Sequence, residues 1–299
     1  MPVYPISFSI PAVKIVSSIP PKTRLLAHII PGDMRTYIYS NETDYYQGYR
    51  ESWFALTCKK AGWDCMRHYE IIANGCIPLF LDLDQCPKNT MTNFPKELIM
   101  QSNKLYFKIM DEGLNPEYEQ QCVNIINQLL HIAREHMTCE ATAKYILNTI
   151  QKPLTGNILY LSGHMDPDYL RCLTLIGFKQ LMGARCHDYP RVQHIYTDCV
   201  LNDNMWGKGM TYAYNVDTAL RDASKDDTII EDIKAHKYDL IIYGSGHRGL
   251  PFLDYVQEHY SANEIVVLCG EDCDRDIKYA KHCCPFSNVN AHVFIREQI

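Results

Sequence analysis

The chain has 299 residues, 46% of them apolar and 21% charged, which is enough apolar material for two ordinary hydrophobic cores. Its net charge of −6 argues against the basic face that nucleic-acid binding requires, and no apolar run reaches the roughly 18–20 residues of a membrane span. Thirteen cysteines, an odd number spread from Cys58 to Cys284, do not fit a disulfide framework and predict free thiols in a reducing, cytoplasmic compartment.

The N-terminus is broken by prolines and lacks a basic leader, so no secretory signal is expected, and the sequon at Asn41 then carries no glycan. The opening thirty residues suggest no element. Strands are expected at 36–39, 53–57 and 76–82, and helices at 64–74 and 95–101. Two more helices follow, one with Val123, Ile126, Leu130 and Ala133 at helical spacing and one from Thr138 to Ile150. The polar stretch 151–157, with Pro153 and Gly156, reads as a boundary between residues 1–150 and 155–299.

The second unit alternates strands and helices. Strand 158–161 leads to a helix at 167–182, a strand through 194–196 and a long loop around Trp206. A helix at 228–236, a strand at 239–243, a helix at 250–260, a strand at 264–268 and a last strand near 291–295 complete it. Such alternation predicts a doubly wound parallel sheet covered on both faces.

Ligands of open parallel sheets bind at the carboxyl ends of the strands. Here these ends carry His164, Asp166 and Asp168, then His247 and Arg248, then Glu271 and Asp272. Each loop alone reads as an ordinary polar connection, but together they place acids, imidazoles and a cation on neighbouring strands. Asp272, His247 and Asp168 are the candidates for a general base, in that order, with His164, Arg248 and Glu271 beside them. Gly244-x-Gly246-x-x-Gly249 matches the dinucleotide fingerprint and raises an NAD(P)-dependent oxidoreductase as the rival reading. That fingerprint normally opens its domain, whereas here only about fifty residues follow it.

The first unit holds a denser constellation. Lys59, Lys60 and Gly62 form a loop before a helix that carries Arg67 in its first turn and Glu70 one turn later. A loop entering a helix beside cations suits a diphosphate, and a carboxylate there can accept hydrogen bonds from a ribose diol. The plain alternative is a surface helix with an i,i+3 Arg67–Glu70 pair.

The stretch Lys59-Lys-Ala-Gly-Trp-Asp-Cys-Met-Arg67-His-Tyr-Glu70-Ile-Ile-Ala-Asn-Gly-Cys-Ile-Pro78 resembles the nucleotide-sugar motif of exostosin-like glycosyltransferases, especially their short forms in protists and large DNA viruses. The resemblance spans about 35 residues, from Trp53 to Pro87. It implies two Rossmann-like domains facing a cleft and an inverting transfer from a UDP-sugar (UDP-xylose, UDP-glucuronate or UDP-galactose) to a glycan acceptor. It places Lys59, Lys60 and Arg67 on the diphosphate, Glu70 on the ribose and Gly75 in the turn that closes the motif. The order of the domains reads as permuted, because in exostosins the donor motif follows the acceptor domain. Cys65 departs from the serine that longer relatives often carry.

Two weaker signals remain. Asp82-Leu-Asp84 imitates an Asp-x-Asp metal motif that would hold Mn²⁺ or Mg²⁺, but such triplets are common by chance and no metal is expected to be essential. Cys269, Cys273, Cys283 and Cys284 with His282 have irregular spacing for zinc, so apolar or idle thiols are expected. A non-catalytic nucleotide- or carbohydrate-binding module stands as the third functional reading.

Overall fold

The computed structural model describes residues 2–200, 205–272 and 289–298. Among these the chain is mixed α/β, with one six-stranded and one three-stranded parallel sheet. Cys273, His282, Cys283 and Cys284 lie outside the described residues.

The small sheet consists of β2 (Arg24–Leu26), β3 (Ser52–Thr57) and β4 (Ile77–Phe80), in that order. Helix α1 (Glu42–Arg50) crosses from β2 to β3, and α2 (Met66–Ala73) from β3 to β4. Asn41 starts α1 by accepting the amide of Asp44, a normal N-cap arrangement. The long helices α3 (Lys96–Glu112), α4 (Pro116–His136) and α5 (Cys139–Thr149) follow. Asn115 caps α4, Pro116 takes its first position, and Cys122, Ile126, Leu129, Leu130 and Ala133 line its buried face.

The large sheet has the order β1 (Val3–Pro5), β9 (His292–Ile295), β8 (Ile265–Cys269), β7 (Leu240–Tyr243), β5 (Ile158–Leu161), β6 (Cys186–Tyr189). Its strands β5, β7 and β8 are wholly buried apolar runs, as a sheet covered on both faces demands. Helices α6 (Tyr169–Met182), α7 (Ile229–Lys234) and α8 (Leu253–His259) connect them. From β5 the chain builds β6 on one side and β7 on the other, so the topological switch point falls between β5 and β7.

Two segments from before the expected boundary sit with the large sheet. Strand β1 pairs with β9, and α5 packs on α6 so closely that a Cβ on Gly177 would stand 2.0 Å from the Cys139 carbonyl oxygen. A single core cluster runs from Phe54 and Phe80 through Ile126 to Tyr160, Phe178 and Phe294. The opening residues that read as featureless therefore supply an edge strand.

The expected strand at 36–39 does not form: a 3₁₀ turn, Met34–Thr36, ends there and residues 37–39 take no regular element. Asp33 accepts the Arg35 amide, and the Thr36 hydroxyl bonds back to Asp33 and Ile30, so side-chain turn chemistry overrides the aromatic run. The expected strand at 194–196 is also a 3₁₀ turn, Gln193–Ile195, and the strand of that region is β6. Its Cys-His-Asp-Tyr sequence looks too polar for a buried strand. Lys179 lies 3.0 Å from Asp188 with both side chains fully buried, so that charge is matched inside, and the buried His187, whose pKa burial lowers, hydrogen-bonds Asp226 at 3.0 Å. The helix expected at 95–101 runs on to Glu112, where Gly113 ends it with φ +84°.

Candidate functional site

The loop 58–65 leaves the carboxyl end of β3 and enters α2. It meets the carboxyl ends of β8 and β9, because a Cβ on Gly62 would stand 2.5 Å from Glu297 Oε1 and 2.6 Å from Asp272 Oδ1. Arg296 Nη1 donates to the Asp64 carbonyl at 2.6 Å and the Asp64 amide donates to Glu297 at 2.9 Å. Burial pushes the Asp64 carboxyl up to about 7, against the pull of Arg296. The predicted donor loop and the last strand ends thus share one polar seam.

Arg67 is only 8% exposed. Its guanidinium stands 5.5 Å from the centre of the Tyr37 ring and donates from Nη2 to the Tyr37 hydroxyl at 2.7 Å. Nε and Nη1 are buried without a hydrogen-bond partner. Lys60 approaches the same Tyr37 ring at 5.7 Å, and Lys59 approaches Trp63 at 5.9 Å. Two of the three predicted cations therefore stand beside one aromatic ring.

Glu70 is 6% exposed and does not form the i,i+3 pair with Arg67 that a surface helix would show. Tyr45 donates to its Oε2 at 2.6 Å, and the Thr211 hydroxyl donates to its Oε1 at 2.5 Å. Burial raises its pKa in spite of these hydrogen bonds and the nearby Arg67. Gly75 is not part of this group. It lies beyond the far end of α2 with φ +66°, packed near Pro20 and Val16, and serves the turn into β4.

At the switch point, Asp168 caps α6 by accepting the Arg171 amide. Its other oxygen lies 3.2 Å from His247 Nε2 and 3.1 Å from Arg248 Nε. Burial opposes the charge on Asp168, but the hydrogen bonds from His247 and from the Arg171 amide outweigh it and hold the carboxyl well below its usual range. Burial likewise opposes a charge on His247, but Asp168 and Cys269 raise its pKa to about 9. At neutral pH His247 is an imidazolium and Asp168 its anion, so neither is suited to accept a proton. Glu271 stands 3.7 Å from His247 Nε2, and Asp272 is ion-paired with Arg296. Both of these carboxylates are exposed, as is His164, which pairs with Asp166 at 3.1 Å.

Of the fingerprint glycines, Gly244 serves internal packing, and the Arg248 carbonyl of the same loop lies against Gly163. A Cβ on Gly244 would meet the Tyr160 ring at 2.2 Å, and one on Gly163 would meet the Arg248 carbonyl oxygen at 2.2 Å. The backbone of this loop therefore lies against the protein rather than against an open space for a pyrophosphate. Within the loop Gly246–Arg248 forms a 3₁₀ turn, and helix α8 starts only at Leu253, so the glycine loop does not run directly into a helix N-terminus as a dinucleotide site does.

Asp82 and Asp84 lie on the turn after β4, and among the described residues no group of three or more His, Cys, Asp or Glu could hold a metal ion. Two shallow grooves lie elsewhere, one of about 370 Å³ beside Tyr39 and Gln47 and one of about 570 Å³ between Lys96 and Gln128. Neither is lined by Arg67 or His247, and the buried orphan donors mark the chemistry better than the size of either groove.

Sequence reasoning missed Tyr37, Tyr45, Tyr46 and Thr211. The run of five tyrosines between 37 and 49 was the available signal for the first three. Nothing local pointed to Thr211. Compared with known proteins, the chain matches no family model, no curated protein and no solved structure.

Proposed function

We propose that the chain is a glycosyltransferase that takes a UDP-sugar as donor and a glycan as acceptor, with the donor seated against α2 and the acceptor beside the switch point of the large sheet. The observation that carries this reading is the Arg67 guanidinium, buried yet with Nε and Nη1 unpartnered, beside the same Tyr37 ring that Lys60 approaches. A buried donor without an acceptor costs free energy, and an anion supplied by a ligand offsets that cost. A diphosphate has the charge and oxygen spacing for it.

In this reading Arg67, Lys60 and Lys59 neutralise the charge that develops on the leaving UDP. Glu70, one turn further into α2, takes ribose hydroxyls. Glu271 and Asp272, the exposed carboxylates after β8, supply the proton acceptor for the attacking hydroxyl. The His247 imidazolium steadies anionic groups rather than acting as base. The two-domain cleft with permuted order belongs to the same proposal.

Thermal-shift and calorimetric titrations with UDP, UDP-xylose, UDP-glucuronate, UDP-galactose and GDP test it. Stabilisation by uridine nucleotides that is lost in Arg67→Ala supports the reading. If no nucleotide binds the wild-type protein, or Arg67→Ala keeps full turnover, the assignment falls.

A further inference from the structure

The loop from Met205 to Val216 belongs to the second half of the chain, yet its middle is docked on the first. Thr211 is fully buried, and its amide donates to Glu42 Oε2 at 2.6 Å. Its hydroxyl stands 2.6 Å from the Tyr46 hydroxyl and 2.5 Å from Glu70 Oε1. Lys208 Nζ donates to the Tyr39 carbonyl at 3.0 Å. The loop then returns to its own side through Tyr214 N on the His194 carbonyl and Val216 N on the Ile195 carbonyl.

The backbone of this docked segment is strained. Lys208, Thr211 and Tyr214 have φ of +57°, +77° and +60°, and Gly207 and Gly209 between and before them are also left-handed. A β-branched residue such as threonine is an outlier there, because its Cβ crowds the backbone. Strain of this kind persists only where surrounding contacts hold it, and here those contacts are to Glu42, Glu70, Tyr39 and Tyr46. The docked loop also leaves Trp206 60% exposed and Tyr214 46% exposed.

We infer that this loop is a self-plug: the Thr211 hydroxyl occupies Glu70 in place of a ligand hydroxyl, and a ligand that takes Glu70 releases the loop. Glu70 has two oxygens, and each is engaged by a hydroxyl that receives another hydroxyl behind it, Tyr49 to Tyr45 on one side and Tyr46 to Thr211 on the other. Tyr45 belongs to the same unit as Glu70, whereas Thr211 arrives from 141 residues away on a strained strap. The strap side is the displaceable one. A ligand diol replaces one hydroxyl by another and lets the backbone relax, so opening the strap and binding the ligand become one equilibrium. The inference rests on the proposed nucleotide seat at α2.

The test uses UDP as probe on the full chain. Thr211→Val keeps the side-chain shape and removes the hydroxyl, and it is expected to bind UDP at least threefold more tightly than wild type. Hydrogen exchange of residues 205–216 in the wild-type protein is expected to quicken when UDP is added, a measurement that needs no variant. Acrylamide quenching of Trp206, isolated by comparison with Trp206→Phe, should change in parallel. Unchanged or weaker UDP binding in Thr211→Val, while Glu70→Gln abolishes it, overturns the plug and leaves the seat standing. Slower exchange of 205–216 with UDP also overturns it, since the loop would then be closing on the ligand. If neither wild type nor Thr211→Val binds UDP, the seat and the plug fall together.

Discussion

His247 Nε2 lies 3.2 Å from Asp168 Oδ2, in a side chain only 9% exposed, so the imidazole is held in its charged form at the carboxyl end of β7. Its folded pKa of about 9 stands above the ordinary 6.5. The stabilisation is therefore fully present below about pH 6.5 and is lost as pH rises through 9. Melting temperatures measured between pH 6 and 9.5 should fall across that window in wild type and fall less in His247→Gln. Equal slopes in the two proteins would remove the ion pair from the account.

Arg67→Met should separate binding from folding. The substitution removes a buried guanidinium with two unpartnered nitrogens and keeps an apolar stem of similar length. Stability in urea is expected to hold or rise by about 1 kcal/mol, since an unsatisfied buried donor is costly. UDP affinity is expected to drop at least tenfold, about 1.4 kcal/mol. A large loss of stability would make Arg67 a structural residue.

Lys179 and Asp188 form an ion pair with both side chains fully buried beneath β6. Lys179→Ala removes the nearer cation of a buried carboxylate and leaves only Arg221, at 3.5 Å, so it is expected to destabilise the fold by about 2–4 kcal/mol. Lys179→Met combined with Asp188→Leu should recover part of that loss, measured by denaturant unfolding. No recovery would mean that Tyr196 and Arg221, which also reach Asp188, matter more than the pair itself.

Gly177→Ala probes the contact between α5 and α6. The added methyl group would stand 2.0 Å from the Cys139 carbonyl oxygen, so the helices must part. A loss of about 1–3 kcal/mol is expected in urea unfolding. A neutral effect would show that α5 is not anchored to the large sheet.

Periodicity and composition made much of this fold legible. The buried strands β5, β7 and β8 are unbroken apolar runs, and α4 announces itself by the helical spacing of Val123, Ile126, Leu130 and Ala133. The Lys60–Arg67–Glu70 grouping was also visible, because a loop and the first turns of a helix are local in sequence. Strand β6 was hidden, since its His187 and Asp188 look polar until their partners Asp226 and Lys179 are brought from 39 residues downstream and from the preceding helix.

The sequence by itself determined the local elements and which polar groups sit at each strand end, because side-chain periodicity and capping act over a few residues. Only the tertiary structure decided that β1 closes the sheet begun at β5, that His247 carries its charge on Asp168, and that Thr211 reaches Glu70. Those are encounters between distant segments, and their energies come from burial and paired charge that no local pattern encodes.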